Sequence, residues 1–183
     1  MQTYFPVQPS QLDKILEILN SGMIYVYKRD KFLRPIVIVD MMAFNNSKID
    51  SELLTHSVAY LMMFMTTRGL APGHVENWIT IANIKGLNVT NMSGKIKEVF
   101  SPLKEANKGR LTKLFIINSN WTFKALWAIA KIMIDPLTIL KFHVLGEEYQ
   151  NKLLETVDPD CLEEKWGGNL PNKTSNFFPP ELR

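Results

Sequence analysis

The sequence holds one cysteine, Cys161, in 183 residues, so no internal disulfide can form, and a reducing, cytoplasmic compartment is expected. Neither sign of charge is in excess: 21 Lys and Arg against 18 Asp and Glu leave a net +3. That total suggests no nucleic-acid partner. The opening stretch MQTYFPVQPSQLDKI lacks a charged-then-apolar leader, so Asn88, Asn91 and Asn120 are read as coincidental glycosylation sequons. A bilayer-spanning run of roughly 20 apolar residues is missing too. Trp121 to Ile134 would cover only about 21 Å at about 1.5 Å per residue, and it includes Lys124 and Lys131. GxSxG, GxGxxG and HExxH signatures are absent. His56, His74 and His143 show no metal-ligand spacing, and Cys161 sits among carboxylates that oppose a thiolate. No catalytic residue, no metal and no cofactor is therefore expected, and the chain does not read as an enzyme.

What is present is an ordinary globular composition, 46% hydrophobic and 21% charged, with room for one substantial core. Leu12, Ile15, Leu16 and Leu19 share a helical face in Gln11 to Leu19, after Ser10 as a cap and before Gly22. MIYVYK (23–28) and PIVIVD (35–40) read as strands joined by a polar turn. The second is apolar enough for a sheet interior. Asp50 can cap a helix in which Leu54, Val58, Leu61, Met62 and Met65 share a face, with Arg68-Gly69 as its stop. WITIANI (78–84), LFIIN (114–118) and Phe142 to Leu145 are three further strands. Helices are expected at 93–105, at 121–134, briefly near 137–140, and at 148–156. Strand and helix alternate from Pro35 to Thr156, the pattern of an α/β domain with a largely parallel sheet.

The stretch from Trp121 to Ile134 is unusual because apolar residues surround it on almost every side. Periodicity fits two readings: a core helix with one lysine-bearing edge, or a lid that meets several apolar surroundings in turn. Asp40, ending an apolar strand, fits a turn or cap better than a metal ligand, since Met41, Met42 and Ala43 supply no second donor.

WITIANIKGL (78–87), KLFIINSNWTFKALW (113–127), Asp135-Pro136 with the following Lys141, HVLG (143–146) and LEEKWGG (162–168) stand in a telling order. Together they resemble the CRAL-TRIO lipid-binding domain, the family of phosphatidylinositol transfer proteins, α-tocopherol transfer protein and cellular retinaldehyde-binding protein. The upstream RPIVIVDM (34–41) fits a more degenerate family strand. The resemblance implies a mixed, mostly parallel sheet of five to six strands flooring a hydrophobic lipid pocket roofed by helices. It leaves a short helical segment (1–22) before the lipid domain (23–168), and the polar, proline-containing tail (169–183) is expected from its composition to be loosely ordered.

It also implies a function: binding a phospholipid or isoprenoid-like lipid and transferring or presenting it at a membrane through a mobile gate helix. The expected partners are thus the lipid ligand, bound in place of a cofactor, and a transient peripheral membrane contact, with a protein partner as the alternative. On this reading Trp78, Thr80, Ala82, Phe115, Ile117, Lys141, Met62 and Met65 face the lipid. Trp121, Phe123, Lys124, Trp127, Lys131, Ile134 and Leu137 belong to the gate and its membrane contact, the two lysines staying near headgroups. Flexible thioethers at Met62, Met63 and Met65 suit either varied acyl chains or ordinary core packing.

The sequence departs from the family's headgroup patterns. Lys141 matches the lysine that phosphoinositide-binding members use, but Gly109 stands where those members carry a glutamate. Thr80 matches one of two small hydroxyl residues of phosphatidylcholine-binding members, and Trp78 replaces the other. Relatives of this fold also serve as scaffolding domains bound to small GTPases or other regulators. The basic run Lys104, Lys108, Arg110 and Lys113 is the local feature that suits such a role.

Overall fold

The computed structural model describes residues 9–42, 49–87 and 107–182. The helix expected at 93–105, and Lys104 of the basic run, lie outside them.

Helix α1 (Pro9–Asn20) begins on a proline, whose fixed φ suits a first helical position, so Ser10 lies inside the helix instead of capping it. Ile15, Ile18 and Leu19 form its buried stripe. Strands β1 (Ile24–Arg29) and β2 (Pro35–Asp40) pair antiparallel. The apolar residues of PIVIVD follow from position: β2 lies one strand in from the sheet edge and is covered on both faces. Asp50 caps α2 (Ser51–Phe64) by accepting from the backbone N–H groups of Glu52 and Leu53, at 3.0 and 3.2 Å. Leu54, Val58, Leu61 and Met65 are its buried face, each contributing about 1.5–3 kcal/mol relative to exposure. A single π-helical stretch, Met65–Gly69, ends the helix.

Strands β3 (Trp78–Asn83), β4 (Leu111–Ile117) and β5 (Phe142–Val144) complete a five-stranded sheet in the order β1-β2-β3-β4-β5. From β2 onward every pairing is parallel. This is the mixed, mostly parallel α/β sheet that the sequence implies. Its first face carries Val26, Val37, Val39, Trp78 and Ile116 and packs against α1 and α2. Its second face carries Ile36, Ile38, Ile79, Ile81, Phe115 and Ile117 and packs against α5 (Gln150–Leu154) and the chain beyond it.

Residues 169–182, expected from the sequence to be loosely held, are packed. Phe177 is buried 4.8 Å from the Tyr25 ring and against Gly22, where a Cβ would fall 2.8 Å from it. Phe178 meets Tyr60 and Phe64 at 5.8 and 5.1 Å. Glu181 accepts a hydrogen bond from the Lys28 backbone N–H through its carbonyl (2.8 Å) and makes a parallel bridge to Tyr27, covering the outer edge of β1. Two aromatic anchors and an edge to pair with outweigh the polar, proline-containing composition that suggested looseness.

Glu163 secures this strap from below. Its side chain is fully buried and accepts from Tyr25 Oη (2.6 Å), Trp166 Nε1 (3.2 Å) and the Lys173 backbone N–H (2.8 Å), with Lys165 Nζ at 3.1 Å. Burial, and then the adjacent Glu163 carboxylate, push the Tyr25 hydroxyl pKa well above its ordinary value. Close by, a Cβ on Gly168 would fall 2.0 Å from the Leu162 carbonyl oxygen, so only glycine fits there.

Candidate functional site

The alternation of β3, β4 and β5 puts Trp78, Thr80 and Ala82 on the first face beside Leu114, Ile116, Phe142 and Val144. Phe115 and Ile117 do not share that face, a correction to the sequence reading. They are fully buried on the second face, Phe115 stacked on His143 at 4.9 Å. The β4 residues that line the first face are Leu114 and Ile116. Trp78 is buried at the start of β3, whereas Thr80, Ala82, Leu114, Phe142 and Val144 are only half-buried. This half-covered stretch lies at the β3–β5 side of the sheet, beyond the strands that α1 and α2 cover.

Helix α3 (Trp121–Ala130) packs beside it. Its start is fixed by Asn118, at φ +58°, and by Ser119, whose N–H and hydroxyl both donate to the Leu145 carbonyl at 2.9 and 2.6 Å. Asn120 caps it by accepting from the Phe123 N–H at 2.9 Å. None of the ten residues is buried. Phe123 and Trp127, one turn apart, are the two half-buried ones. Phe123 joins the first-face cluster and the Trp127 indole stacks on Phe142, centroids 5.1 Å apart and planes 24° apart. The expected helix to Ile134 is interrupted: α3 stops at Ala130 and Lys131–Met133 tighten into a 3₁₀ turn. Asp135 then caps the short α4 (Pro136–Ile139), accepting from the Thr138 N–H at 2.9 Å.

Along this segment large apolar side chains stand in water. Trp121 and Ile132 are 80% exposed, Leu140 74%, Leu137 73% and Ile129 68%. Lys124 and Lys131 are exposed, and Ile134 is half-buried. Of the methionines expected to face lipid, Met62 is half-buried against the first-face core. Met65 is fully buried within it, a structural position that leaves no surface for a ligand. Met63 is on the outside.

Lys141 stands half-buried where the chain enters β5, its carbonyl accepting from the Leu114 N–H at 2.7 Å. Gly109 makes the turn before β4 at φ +79°, a conformation that glycine adopts without strain and the family's glutamate would not. Arg110 is paired with Glu76, and Lys113 Nζ donates to Thr156 Oγ1 at 3.0 Å, so both cations are engaged within the chain. A cleft of about 350 Å³ between α1 and the start of α2, lined by Lys14, Glu17, Ile18 and Asp50 among others, includes none of the residues above.

At the opposite end of the strands a polar ladder went unseen in the sequence. Asp40 accepts from Asn83 Nδ2 (3.2 Å) and from the Met42 N–H (3.1 Å), and Asn83 Oδ1 accepts from Asn118 Nδ2 (2.8 Å). It ties β2, β3 and β4 to the entrance of α3 and gives Asp40 the capping role. Among the described residues no group of three His, Cys, Asp or Glu side chains could hold a metal ion. Among them, too, no helix is long and apolar enough to cross a membrane.

A mostly parallel sheet with one face left half-covered beside a greasy helix is a specific arrangement, and the profile described as the CRAL/TRIO domain matches residues 19–168. The chain belongs to the CRAL/TRIO domain family. The Arabidopsis thaliana phosphatidylinositol/phosphatidylcholine transfer protein SFH12 is 27% identical over 173 residues, 87% of this chain and 31% of that protein. Its relative SFH4 is 36% identical over 102 residues, 54% of this chain and 17% of that protein. The Sec14 cytosolic factor of Schizosaccharomyces pombe is 33% identical over 106 residues, 54% of this chain and 36% of that protein. The chain therefore spans well under half the length of each of these three relatives. The crystal structure of Sfh5 is similar in fold, with a TM-score of 0.63 at 16% identity, over 92% of this chain and 64% of that one.

Proposed function

We propose that this CRAL/TRIO domain carries a phospholipid against the half-covered part of its first face and exchanges it at a membrane surface, with Trp121 to Leu140 as the lid. The observation that carries this reading is the seating of α3. In this ten-residue apolar helix Phe123 and Trp127 are the half-buried residues and the rest are exposed, beside a sheet face that is itself half-exposed. An ordinary core helix would bury its apolar stripe. A lid must leave the sheet to admit acyl chains and then meet lipid on its outer side, so apolar residues all round are consistent with that task. The names of the relatives point to phosphatidylinositol or phosphatidylcholine as the class of cargo.

Thr80 supplies a hydroxyl on the otherwise apolar floor, and Lys141, at the start of β5, makes no ion pair among the described residues. An anionic headgroup would find its charge partner there, while Gly109 and buried Trp78 narrow the choice of other polar contacts. Nothing in this mechanism requires bond making. Work is done by differential contact: lid residues exchange sheet for bilayer as the acyl chains move.

Native mass spectrometry of the purified chain, with extraction and identification of the lipid, tests the proposal. The expected result is one phospholipid per chain, lost or weakened on Lys141→Ala when the headgroup is anionic. A chain that carries no lipid and moves none between vesicles overturns it.

A further inference from the structure

The turn between β1 and β2 has no part in the site above, yet it is densely hydrogen-bonded. Asp30 is buried; its Oδ1 accepts from the backbone N–H groups of Phe32 and Arg34, both at 2.9 Å, and its Oδ2 from Arg34 Nε at 2.6 Å. The Leu33 N–H donates to the Asp30 carbonyl at 2.9 Å. Arg29 spends its guanidinium on three carbonyls, those of Leu33 (2.8 Å), Leu182 (3.0 Å) and Gly69 (2.9 Å). Lys31 donates to the Thr156 carbonyl through its backbone and to the Leu154 carbonyl through Nζ. The turn is thereby tied to the C-terminal strap, to the end of α2 and to the end of α5.

This frame holds Leu33 at φ +62°, a left-handed conformation that costs strain for a residue with a Cβ. What it presents is two apolar side chains in water: Phe32 and Leu33 are each 65% exposed. Neither contributes to the core. Scattered exposed apolar residues are ordinary, but an adjacent pair on a strained and fully bonded turn is a feature that folding alone does not favour.

Charge completes the description. Residues 28–34 hold Lys28, Arg29, Lys31 and Arg34 against Asp30, a net of +3, which equals the net charge of the whole chain. The lone acid is buried, and the Arg34 guanidinium lies 4.8 Å from the Phe32 ring. Topology fixes the location. The turn leads directly into β2, as exposed Leu137 and Leu140 lead into β5, and β2 and β5 run parallel in one sheet. Both apolar outcrops therefore lie at the same end of the sheet, three strand spacings apart, about 14 Å. Lys108 and Arg110 precede β4 at that end, and Lys141 precedes β5.

We propose that the β1–β2 turn is a second membrane anchor, in which Phe32 and Leu33 insert among the headgroups of an anionic bilayer, drawn there by the net positive charge that the turn keeps after Arg34 and Asp30 pair at 2.6 Å. Apolar insertion supported by basic residues is the chemistry of a peripheral anchor, and anionic lipid is the charge complement of a +3 turn. Rigid presentation removes the ordering cost that a floppy loop would incur on docking. Two attachment points on one end of the sheet orient the molecule where one would let it swivel, and linkage makes the second contact effectively intramolecular.

Vesicle flotation of the whole chain tests this on phosphatidylcholine vesicles with and without phosphatidylserine. The double variant Phe32→Asp, Leu33→Asp changes two solvent-exposed positions, and aspartate tolerates the left-handed region better than leucine. Its binding to the phosphatidylserine vesicles should fall at least about tenfold, and that of the unmodified chain should weaken with salt. Bound lipid, measured by native mass spectrometry, should be the same in both. Leu33→Asn should raise Tm while lowering vesicle binding, a split that a purely structural residue does not give. A double variant that floats as well as the unmodified chain overturns the proposal and leaves the turn to a protein partner. Failure of lipid carriage would instead appear in the mass spectrum of the unmodified chain, so the two conclusions stand or fall separately.

Discussion

Replacing Trp127 by alanine isolates the seating of α3, the proposed lid. The indole stacks on Phe142 and, with Phe123, supplies the packed contact of α3. A stacked aromatic pair contributes about 0.5–1.5 kcal/mol beyond its buried area. Because Trp127 is only half-buried and no residue of α3 is fully so, that loss falls on the local opening equilibrium and little on global unfolding. Helix α3 should then open about two- to twelvefold more often. Amide hydrogen exchange reads this directly. Backbone N–H groups of residues 121–134 should exchange faster by that factor, while those of β2, β3 and β4 keep their protection. Trp127→Phe, which keeps a ring over Phe142, should lie between. Unchanged exchange in the lid would refute the reasoning, as would a parallel acceleration across the whole sheet, since the stack would then be a global rather than a local support.

Glu163→Ala should cost about 3–5 kcal/mol, because it strands the Tyr25 hydroxyl, the Trp166 indole N–H and the Lys173 N–H in a dry interior. Urea unfolding followed by tryptophan fluorescence should show the midpoint falling by about 1 M or more, and a loss below about 1 kcal/mol would contradict the hub role. His143 has its pKa lowered by burial first, then by Lys113 and Lys152. The unfolded chain therefore binds the proton more readily, and stability falls as pH drops below about 6.5 and is level above it. Melting temperatures across that range should flatten in His143→Phe, and an unchanged acid limb would assign the slope to other groups.

Much of the architecture was legible because it rests on local signals. PIVIVD announces an interior strand, Asp50 a helix start, and Leu54, Val58 and Leu61 a packed helical stripe. The face of β4 was not legible. Leu114 to Ile117 are apolar on both sides because both sides are covered, and alternation says nothing when neither face is polar. The sequence reading therefore groups Phe115 and Ile117 with Trp78, Thr80 and Ala82, whereas they pack on the opposite face of the sheet. The Tyr25–Glu163 bond joins residues 138 apart, a separation at which no local pattern operates. The strap was missed for a related reason: Phe177 and Phe178 look incidental in a polar tail until their sockets at Gly22, Tyr60 and Phe64 are known. The stretch from Trp121 is odd by its apolar girth alone, but the break after Ala130 carries no proline or glycine to announce it.

The strap across β1 has a consequence for how the chain is made. Strand β1 leaves the ribosome before the other four strands of the sheet, yet its outer flank is closed by residues near position 181, synthesised more than a hundred residues later. Throughout that interval a nascent β1–β2 hairpin offers a bare hydrogen-bonding rim to any neighbouring polypeptide. Maturation of this fold thus finishes at its beginning, and a chain stalled before Phe177 would be prone to aggregate even with its whole sheet already in place.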